Sequence, residues 1–363
     1  MMLWPAWGNA QVWGVRTLPD GPERWQIRWM GTGDVSVDGQ RLEQRRSPLS
    51  LDGRQPHDVR VGARHFTVPA QIDDACAHVR LIALGDGRAA VNGVGPSAGW
   101  RGILSEALGH QPDLVINTGD LVKRGRDPQE WRQWLLSLPP WPPVLPVKGN
   151  HDRGGLYEAL GYDPRPVFVW RWGPVEIIGV NTEASTEEML PALKAALSVP
   201  AERWRILVTH RPIWSRGNHG SDERGLNAQI VPLIDRGGVD LVLSGHDHDY
   251  ERFCRSRGLG PERCHDEGTL YVVTGGAATF TVPVPGLSFK VDSEVAEADG
   301  RASRVFSGSH HFVQVDVGPE RLVLTAHRTF TGNVRPPGII DEFVLKRSSR
   351  CEITRPRRGS SRP

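Results

Sequence analysis

The chain has 363 residues, a formal net charge of +2 and an apolar fraction of 38%, values typical of a globular protein large enough for about two domains. No apolar run comes near the roughly 20 residues that a membrane-spanning helix needs, so we expect no membrane span. Residues 1–13 lack the basic segment and long apolar stretch of a signal peptide. The sequence therefore leaves the location open, and an extracytoplasmic one is compatible with it if the natural start lies further upstream.

Residues 1–75 are predicted to form a small all-β domain. Short apolar segments alternate there with turns rich in Gly, Pro and Asp, and in Trp25–Trp29 every second side chain is apolar. That alternation is typical of a half-buried strand, with one face in a core and the other in solvent. We expect a fibronectin-like sandwich whose tryptophans belong to the core rather than to a sugar-binding surface.

Residues 76–347 are predicted to form a larger α/β domain. Short strands rich in Val, Ile and Leu, most of them separated by helical segments, are predicted at 79–84, 114–118, 144–148, 205–209 and 241–244. Two helices have clear start signals, because Asp127 directly precedes Pro128 and Ser185 precedes Glu188 by three residues, as in capped helices. Strands separated by helices form parallel sheets. The last predicted strands, after residue 268, follow one another without helices and are expected to be antiparallel.

Each predicted parallel strand is followed by a residue that can bind a metal ion. These residues are Asp86, Asp120, Asn150, His210, His246 and His248. Functional groups on parallel sheets gather at the carboxyl ends of the strands, so we expect the six side chains to meet at one rim. Carboxylate, amide and imidazole groups together are ligands of divalent or trivalent first-row metal ions.

The motifs that hold these residues resemble, in their order along the chain, those of the calcineurin-like metallophosphoesterase superfamily. They are Gly85-Asp86-Gly87, Gly119-Asp120, Gly149-Asn150-His151-Asp152, Val208-Thr209-His210 and Gly245-His246-Asp247-His248. Tyr250-Glu251-Arg252 and His210-Arg211-Pro212 make the sequence most similar to the purple acid phosphatases within that superfamily. The resemblance implies a four-layer α/β/β/α sandwich, preceded by the small all-β domain.

The resemblance also implies a dinuclear centre of iron, manganese or zinc. By motif, the first ion is bound by Asp86 and His248, the second by Asn150, His210 and His246, and both by Asp120. Two ions close together share a hydroxide and clamp the attacking and leaving oxygens of a phosphate ester. We therefore expect a metal-dependent hydrolase of phosphorylated small molecules, acting as an acid-phosphatase-like phosphomonoesterase through the shared hydroxide.

Two other functions are compatible with the same residues. A phosphodiesterase or nucleotide pyrophosphohydrolase would use the same metal ions, since only the walls of the pocket exclude a second ester substituent. A catalytically silent binding protein, with the β domain as its working part, would not need the full set of ligands that this chain retains.

The leaving alkoxide needs a proton, and two histidines are candidates for the donor. His151 directly follows Asn150, and Asp152 is expected to orient the His151 ring or to raise its basicity. His219 lies where the purple acid phosphatases resembled here carry a histidine that faces the substrate. Taken by itself, His219 is equally compatible with a surface loop.

Two positions depart from the pattern of the resembled proteins. Most superfamily members have His two residues after the first Asp, and this chain has Arg88 there. Purple acid phosphatases have Tyr three residues after the bridging Asp, and this chain has Lys123 there. Neither cation binds a metal ion while protonated, so the first ion keeps fewer protein ligands and the occupancy of its site is open. Arg88 either holds a phosphate oxygen of the substrate, which its planar guanidinium suits, or is an ordinary ion-paired or solvated arginine.

The cysteines and the C-terminal tail add little to the functional assignment. Cys254 and Cys264 bracket one loop and form either a disulfide or two free thiols. No two cysteines have the two-residue spacing that is typical of a metal site. Residues 348–363 are basic and rich in Ser and Pro, so we expect a solvated, disordered tail without a nucleic-acid partner. The sequence does not set the oligomeric state.

Overall fold

The computed structural model describes residues 12–21, 23–44, 46–88, 98–258, 264–265, 267–277, 293–294, 303–331, 336–348 and 351. The predicted basic tail, residues 348–363, lies outside these ranges apart from residues 348 and 351. Within the described ranges, no helix combines the length and the apolar character that crossing a membrane requires.

Short strands form the N-terminal β region. They are β1 (Trp13–Pro19), β2 (Arg24–Met30), β3 (Val35–Val37), β4 (Gln40–Leu42), β5 (Leu49–Asp52), β6 (His57–Val61) and β7 (Arg64–Val68). They pair as two antiparallel sheets with the strand orders β1-β2-β5 and β4-β3-β6-β7. In β2, Trp25, Ile27 and Trp29 are buried while Gln26 and Arg28 between them are half-buried. The predicted alternation and the small all-β unit are therefore confirmed, and its boundary near residue 75 stays a prediction.

The remaining strands and helices form the α/β region. In chain order they are β8 (Val79–Leu84), α1 (Ala98–Leu108), β9 (Leu114–Asn117), α2 (Pro128–Ser137), β10 (Val144–Pro146), α3 (Leu156–Ala159), β11 (Val167–Trp172), β12 (Val175–Val180), α4 (Thr186–Ser198), β13 (Trp204–Thr209), α5 (Asn227–Arg236), β14 (Leu241–Ser244), β15 (Tyr250–Phe253), β16 (Leu270–Thr274), β17 (Ser293–Glu294), β18 (Ser303–Ser307), β19 (His311–Val317), β20 (Arg321–Arg328) and β21 (Gly338–Lys346). The side chains of Asp127 and Ser185 accept hydrogen bonds from the backbone N–H groups of Gln129 and Glu188. Both predicted helix starts are confirmed.

These strands form two mixed sheets. The first has the order β10-β9-β8-β19-β20-β21, with β8, β9 and β10 parallel and β19, β20 and β21 antiparallel. The second has the order β11-β12-β13-β14-β16-β15-β18-β17, with β12, β13, β14 and β16 parallel. β16 was predicted to be antiparallel. It is antiparallel to β15, but it is parallel to its other neighbour, β14, so the prediction is wrong for that pair. The chain runs back along β15 between β14 and β16, which lets these two strands point the same way.

The two sheets face each other, and helices cover their outer faces. Leu81 of β8 and Ile206 of β13 lie in the apolar cluster between the sheets. Ile82 of β8 belongs to a cluster with Trp131 of α2, while the outer face of the second sheet packs against α4 and α5. Neighbouring residues of β8 thus face different apolar layers, which explains the continuous apolar run Leu81–Leu84 in this strand. The predicted four-layer sandwich is confirmed.

All four cysteines are in disulfides. Cys254 and Cys264 close the loop after β15, one of the two alternatives that the sequence left open. Cys76 and Cys351, separated by 275 residues, join the segment before β8 to the segment after β21. The sequence did not predict this second disulfide.

Candidate metal centre

The predicted ligands lie just beyond the ends of parallel strands and form one continuous set of contacts. Asp86 follows β8, Asp120 follows β9, Asn150 follows β10, His210 follows β13, and His246 and His248 follow β14. Ligand atoms of Asp86, Asp120 and His210 all lie within 4.8 Å of one another. The structure therefore brings these side chains together at one rim, and their role as metal ligands stays a prediction.

Three of these residues have a left-handed backbone conformation. The φ angle is 63° at Asp86, 54° at Asp120 and 70° at His246. Residues other than glycine adopt this region at a steric cost, and such residues cluster at functional sites. The backbone strain of these strand ends is thus concentrated at the candidate centre.

Asp86 and Asp120 hold two carboxylates close together, away from water. Asp86 is fully buried and Asp120 is 1% exposed. Burial, and then the charge of Asp120, raise the pKa of Asp86 well above its usual value. Burial acts in the same direction on Asp120, but His210, His151 and Arg88 outweigh it and lower the pKa of Asp120. A cation between the two carboxylates would relieve their repulsion, so both groups fit a metal site.

His210 presents one ring nitrogen to the backbone and the other to the candidate centre. Its Nδ1 lies 2.9 Å from the carbonyl oxygen of Thr118 and donates a hydrogen bond there, because a carbonyl only accepts. In the neutral ring, Nε2 then carries a lone pair, and it lies 3.3 Å from Oδ1 of Asp120 and 2.9 Å from Oδ1 of Asn150. These three atoms can share a cation, either a proton on Nε2 or a metal ion, so the donor set fits a metal ion.

His246 and His248 complete the set on the side of Asp86. The backbone N–H of His246 donates to Oδ2 of Asp86 at 3.0 Å, and Nε2 of His248 lies 3.6 Å from Oδ1 of the same carboxylate. The rings of His246 and His210 meet edge to face, with centroids 4.9 Å apart. Burial lowers the pKa of His246 and His248 to about 3. Both rings are therefore neutral at physiological pH and retain a lone pair for a metal ion.

His151 lies beside the centre with its ring held by the backbone. Its Nδ1 is 2.8 Å from the carbonyl oxygen of Lys123, and its Nε2 is 3.9 Å from Oδ2 of Asp120. The side chain is 31% exposed. Since Nδ1 donates to the carbonyl, Nε2 faces the centre and is the atom able to exchange a proton with a substrate.

Asp152 forms no hydrogen bond with the ring of His151 in the described part of the chain, so the structure does not support an orienting role, and the expectation that it raises the basicity of His151 stays a prediction. Asp152 is fully buried, and its two carboxylate oxygens accept hydrogen bonds from the backbone N–H groups of Leu121, Val122 and Gly149. The two neighbouring side chains point in different directions, one to the centre and one into the core. Asp152 instead joins the loop after β9 to the loop after β10, and each of these loops carries a predicted ligand.

His219 lies over His246 rather than on a distant surface loop. The two rings stack with centroids 3.8 Å apart, and the backbone N–H of His219 donates to Oδ1 of Asp247 at 2.7 Å. The side chain is 40% exposed, so the ring borders the centre from the solvent side. Its role as a proton donor or a substrate contact stays a prediction.

Arg88 and Lys123 occupy the two positions that depart from the resembled pattern. Nε of Arg88 donates to Oδ2 of Asp120 at 3.1 Å, and the Arg88 side chain is 19% exposed. Arg88 is therefore ion-paired and places a positive charge beside a predicted ligand of the first metal ion. The backbone N–H of Lys123 donates to Oε2 of Glu130 in α2 at 2.7 Å. Its backbone carbonyl accepts from Nδ1 of His151, so the backbone of Lys123 links α2 to the ring of His151.

The four tyrosines, all within the described ranges, have hydroxyl partners away from the predicted ligands. The hydroxyl of Tyr157 donates to the carbonyl oxygen of Pro146, that of Tyr162 accepts from Trp134, that of Tyr250 donates to Asp341, and that of Tyr271 is hydrogen-bonded with Thr269. These contacts keep the phenol groups in the surrounding core. Tyrosinate ligation of a metal ion would require one of these buried side chains to break its hydrogen bond and move.

Protein loaded with Fe(III) is therefore expected to show no strong visible charge-transfer band. Absorption spectra of the purified iron-loaded and zinc-loaded proteins check this. Zn(II) has a filled d shell and adds no visible band of its own, so the zinc-loaded protein provides the reference spectrum. A strong visible band that appears only with iron would contradict the prediction.

One carboxylate at the centre was missed by the sequence analysis. Oε2 of Glu223 lies 2.7 Å from Nε2 of His246, and Glu223 also forms an ion pair with Arg211. Ligand atoms of His219, Glu223 and His246 lie within 4.8 Å of one another. Glu223 lies outside every motif and 23 residues before His246, so no local signal in the sequence points to this contact.

Part of the sequence is similar to known phosphoesterases. Residues 78–250 match the family model of the calcineurin-like phosphoesterases. The chain is 40% identical over 81 residues to purple acid phosphatase 17 of Arabidopsis thaliana, covering 22% of each chain. It is 23% identical over 231 residues to a nucleotide pyrophosphatase/phosphodiesterase of Hordeum vulgare, covering 50% of this chain and 63% of that protein. The chain thus spans between about a fifth and just under two thirds of the length of these relatives.

Comparison with solved structures shows the same fold. A purple acid phosphatase, PPD1, from yellow lupin (Lupinus luteus) superposes with a TM-score of 0.72 at 15% identity, covering 93% of this chain and 74% of that one. The structure of PhoD superposes with a TM-score of 0.60 at 10% identity, covering 92% and 90%. At these identities the likeness describes the fold alone.

Proposed function

We propose that this chain, whose residues 78–250 match the family model of the calcineurin-like phosphoesterases and which is similar to purple acid phosphatases, is a metal-dependent hydrolase of phosphomonoesters. The observation that carries the proposal is the meeting of Asp86, Asp120 and His210, buried at the ends of three different strands. Burying two carboxylates side by side is costly unless a cation compensates their charge.

The ligand set would hold two metal ions. Asp86 and His248 would bind the first, Asn150, His210 and His246 the second, and Asp120 both. When bound, such a pair of ions makes water a nucleophile at neutral pH and offsets the negative charge of the phosphate. The neutral rings and the amide add no charge, so the two carboxylates leave the loaded centre positive and attractive to a phosphate anion.

Other residues of the centre would act on the substrate directly. Arg88, which lies against Asp120, has a planar guanidinium that can hold a phosphate oxygen. His151 is fixed through Nδ1, so its Nε2 would deliver a proton to the leaving alkoxide. His219, stacked on His246, is the second candidate for this delivery.

The metal-loaded protein is expected to hydrolyse 4-nitrophenyl phosphate with a kcat/KM at least about tenfold higher than that for bis(4-nitrophenyl) phosphate. The monoester dianion carries one more negative charge than the diester, so a positive centre that includes Arg88 binds it more strongly. Steady-state assays of both substrates check this. A mock preparation from cells that lack this protein serves as the control, since activity in it comes from a contaminating phosphatase.

The opposite preference would favour a phosphodiesterase or nucleotide pyrophosphohydrolase. The name of the Hordeum vulgare relative supports keeping this second candidate. No turnover of either substrate after loading with iron, manganese or zinc would instead favour a catalytically silent binding protein. Three similar proteins of Arabidopsis thaliana are named probable inactive purple acid phosphatases.

A further inference from the structure

The contacts of His246 determine which of its ring nitrogens carries the hydrogen. Nε2 lies 2.7 Å from Oε2 of Glu223 and 3.3 Å from Nη1 of Arg211. A carboxylate only accepts hydrogen bonds, so Nε2 must donate to Glu223. Arginine only donates, so Nη1 of Arg211, which donates to Glu223, forms no second hydrogen bond with Nε2 once Nε2 carries its own hydrogen. The neutral His246 ring therefore has its hydrogen on Nε2 and its lone pair on Nδ1.

Two other histidines of the centre are held in a comparable way. Nδ1 of His210 donates to the carbonyl oxygen of Thr118, and Nδ1 of His151 donates to the carbonyl oxygen of Lys123. In both rings Nδ1 is bonded to the protein, and Nε2 lies on the side of Asp120, at 3.3 Å for His210 and 3.9 Å for His151. His246 differs because its acceptor is a carboxylate side chain, which carries a full negative charge and can be replaced by mutation.

Glu223 is itself held in place. Its carboxylate forms an ion pair with Arg211, whose Nε donates to Oε1 of Glu183 at 2.6 Å. Glu183 also pairs with Arg153 at 2.9 Å. The His246 side chain is 4% exposed and that of Glu223 35%, so the contact lies at the edge of the buried centre. Releasing His246 would require the Glu223–Arg211 pair to move as well.

We propose that Glu223 is a positioning residue that keeps His246 in the form with the hydrogen on Nε2 and its Nδ1 lone pair available to the second metal ion. A carboxylate on the outer nitrogen of a metal-binding histidine fixes its tautomer and ring orientation and increases its basicity. This inference rests on the proposed two-metal centre. Nothing in the chemistry of the leaving group is assigned to Glu223.

The first test measures the zinc affinity of the metal-free protein by titration against a chromophoric chelator. For Glu223→Gln, we expect the affinity of one of the two sites to fall by about 10- to 100-fold, with the folded state checked by circular dichroism. Glu187→Gln is the matched control, because it removes one negative charge from the exposed first turn of α4. This control should bind zinc as the wild type does.

The second test needs neither metal nor activity. Long-range ¹H–¹⁵N spectra of the metal-free wild type should show the hydrogen of the His246 ring on Nε2, with the signal assigned by its absence in His246→Gln. A ring with its hydrogen on Nδ1 would overturn the proposal, and so would unchanged zinc affinity in Glu223→Gln. Wild-type protein that binds no metal would overturn the proposed function instead, while the spectra would still test the contact with Glu223.

Discussion

Replacing Asp120 by Asn is expected to lower kcat/KM for a phosphomonoester by more than about 10³-fold. The substitution keeps the size of the side chain and removes the negative charge that lies 3.3 Å from Nε2 of His210 and 3.1 Å from Nε of Arg88. Asp120 is 1% exposed, so water does not replace the lost carboxylate. A metal centre contributes several kcal/mol to stabilising the transition state, and about 4 kcal/mol corresponds to a factor of ~10³.

Metal content tests the same substitution independently of activity. Elemental analysis of dialysed protein should give about two ions per wild-type chain and fewer for Asp120→Asn. The matched control is Asp163→Asn, which removes a charge from the ion pair with Arg165 and should change neither metal content nor activity. Wild-type metal content and activity in Asp120→Asn would refute the bridging role, and about one ion per wild-type chain would refute the dinuclear centre.

Replacing His151 by Gln is expected to slow the hydrolysis of an alkyl phosphate by about 10²- to 10⁴-fold, the usual contribution of a general acid. The same change should slow hydrolysis of 4-nitrophenyl phosphate much less. Nitrophenolate is stable enough to leave as an anion, whereas an alkoxide has to be protonated as it leaves. The backbone carbonyl of Lys123 holds the ring, with Nε2 3.9 Å from Asp120. Measured kcat values for the two substrates give the ratio that decides this.

The variant His219→Gln separates the two candidate proton donors. A donor has to be protonated, so the rate falls as the pH rises through its titration, and removal of the donor abolishes that fall. His151→Gln should lose the alkaline limb of the pH–rate profile for the alkyl phosphate, and His219→Gln should keep it. The reverse result would transfer the role to His219, whose ring stacks on His246 at 3.8 Å.

Local patterns were enough to predict the layers and the meeting of the ligands. In β8, Leu81 and Ile82 are both apolar because they face different buried layers, and such a run is typical of a strand covered on both faces. The polar residues directly after β8, β9 and β10 meet because parallel strands end at the same edge of a sheet. The roles of these residues in metal binding and catalysis stay predictions until the experiments above are done.

Adjacency in sequence was a poor guide to side-chain partners. Asp152 follows His151, yet it accepts hydrogen bonds from backbone N–H groups of two loops while the ring of His151 is held by Lys123. A turn sends successive side chains in different directions, and burial decides which of them must satisfy buried N–H groups. The order of β14, β15 and β16 likewise depended on pairing between strands, which the absence of helices did not reveal.

The sequence by itself determined the types of group at the rim and the strands that carry them, because apolar periodicity and strand-end motifs are local properties. Only the tertiary structure decided the long-range partners: Cys76 with Cys351, Arg88 with Asp120, and Glu223 with His246. Each of these contacts depends on how distant loops lie over the two sheets. The packing of the whole chain sets that arrangement, and no short stretch of residues encodes it.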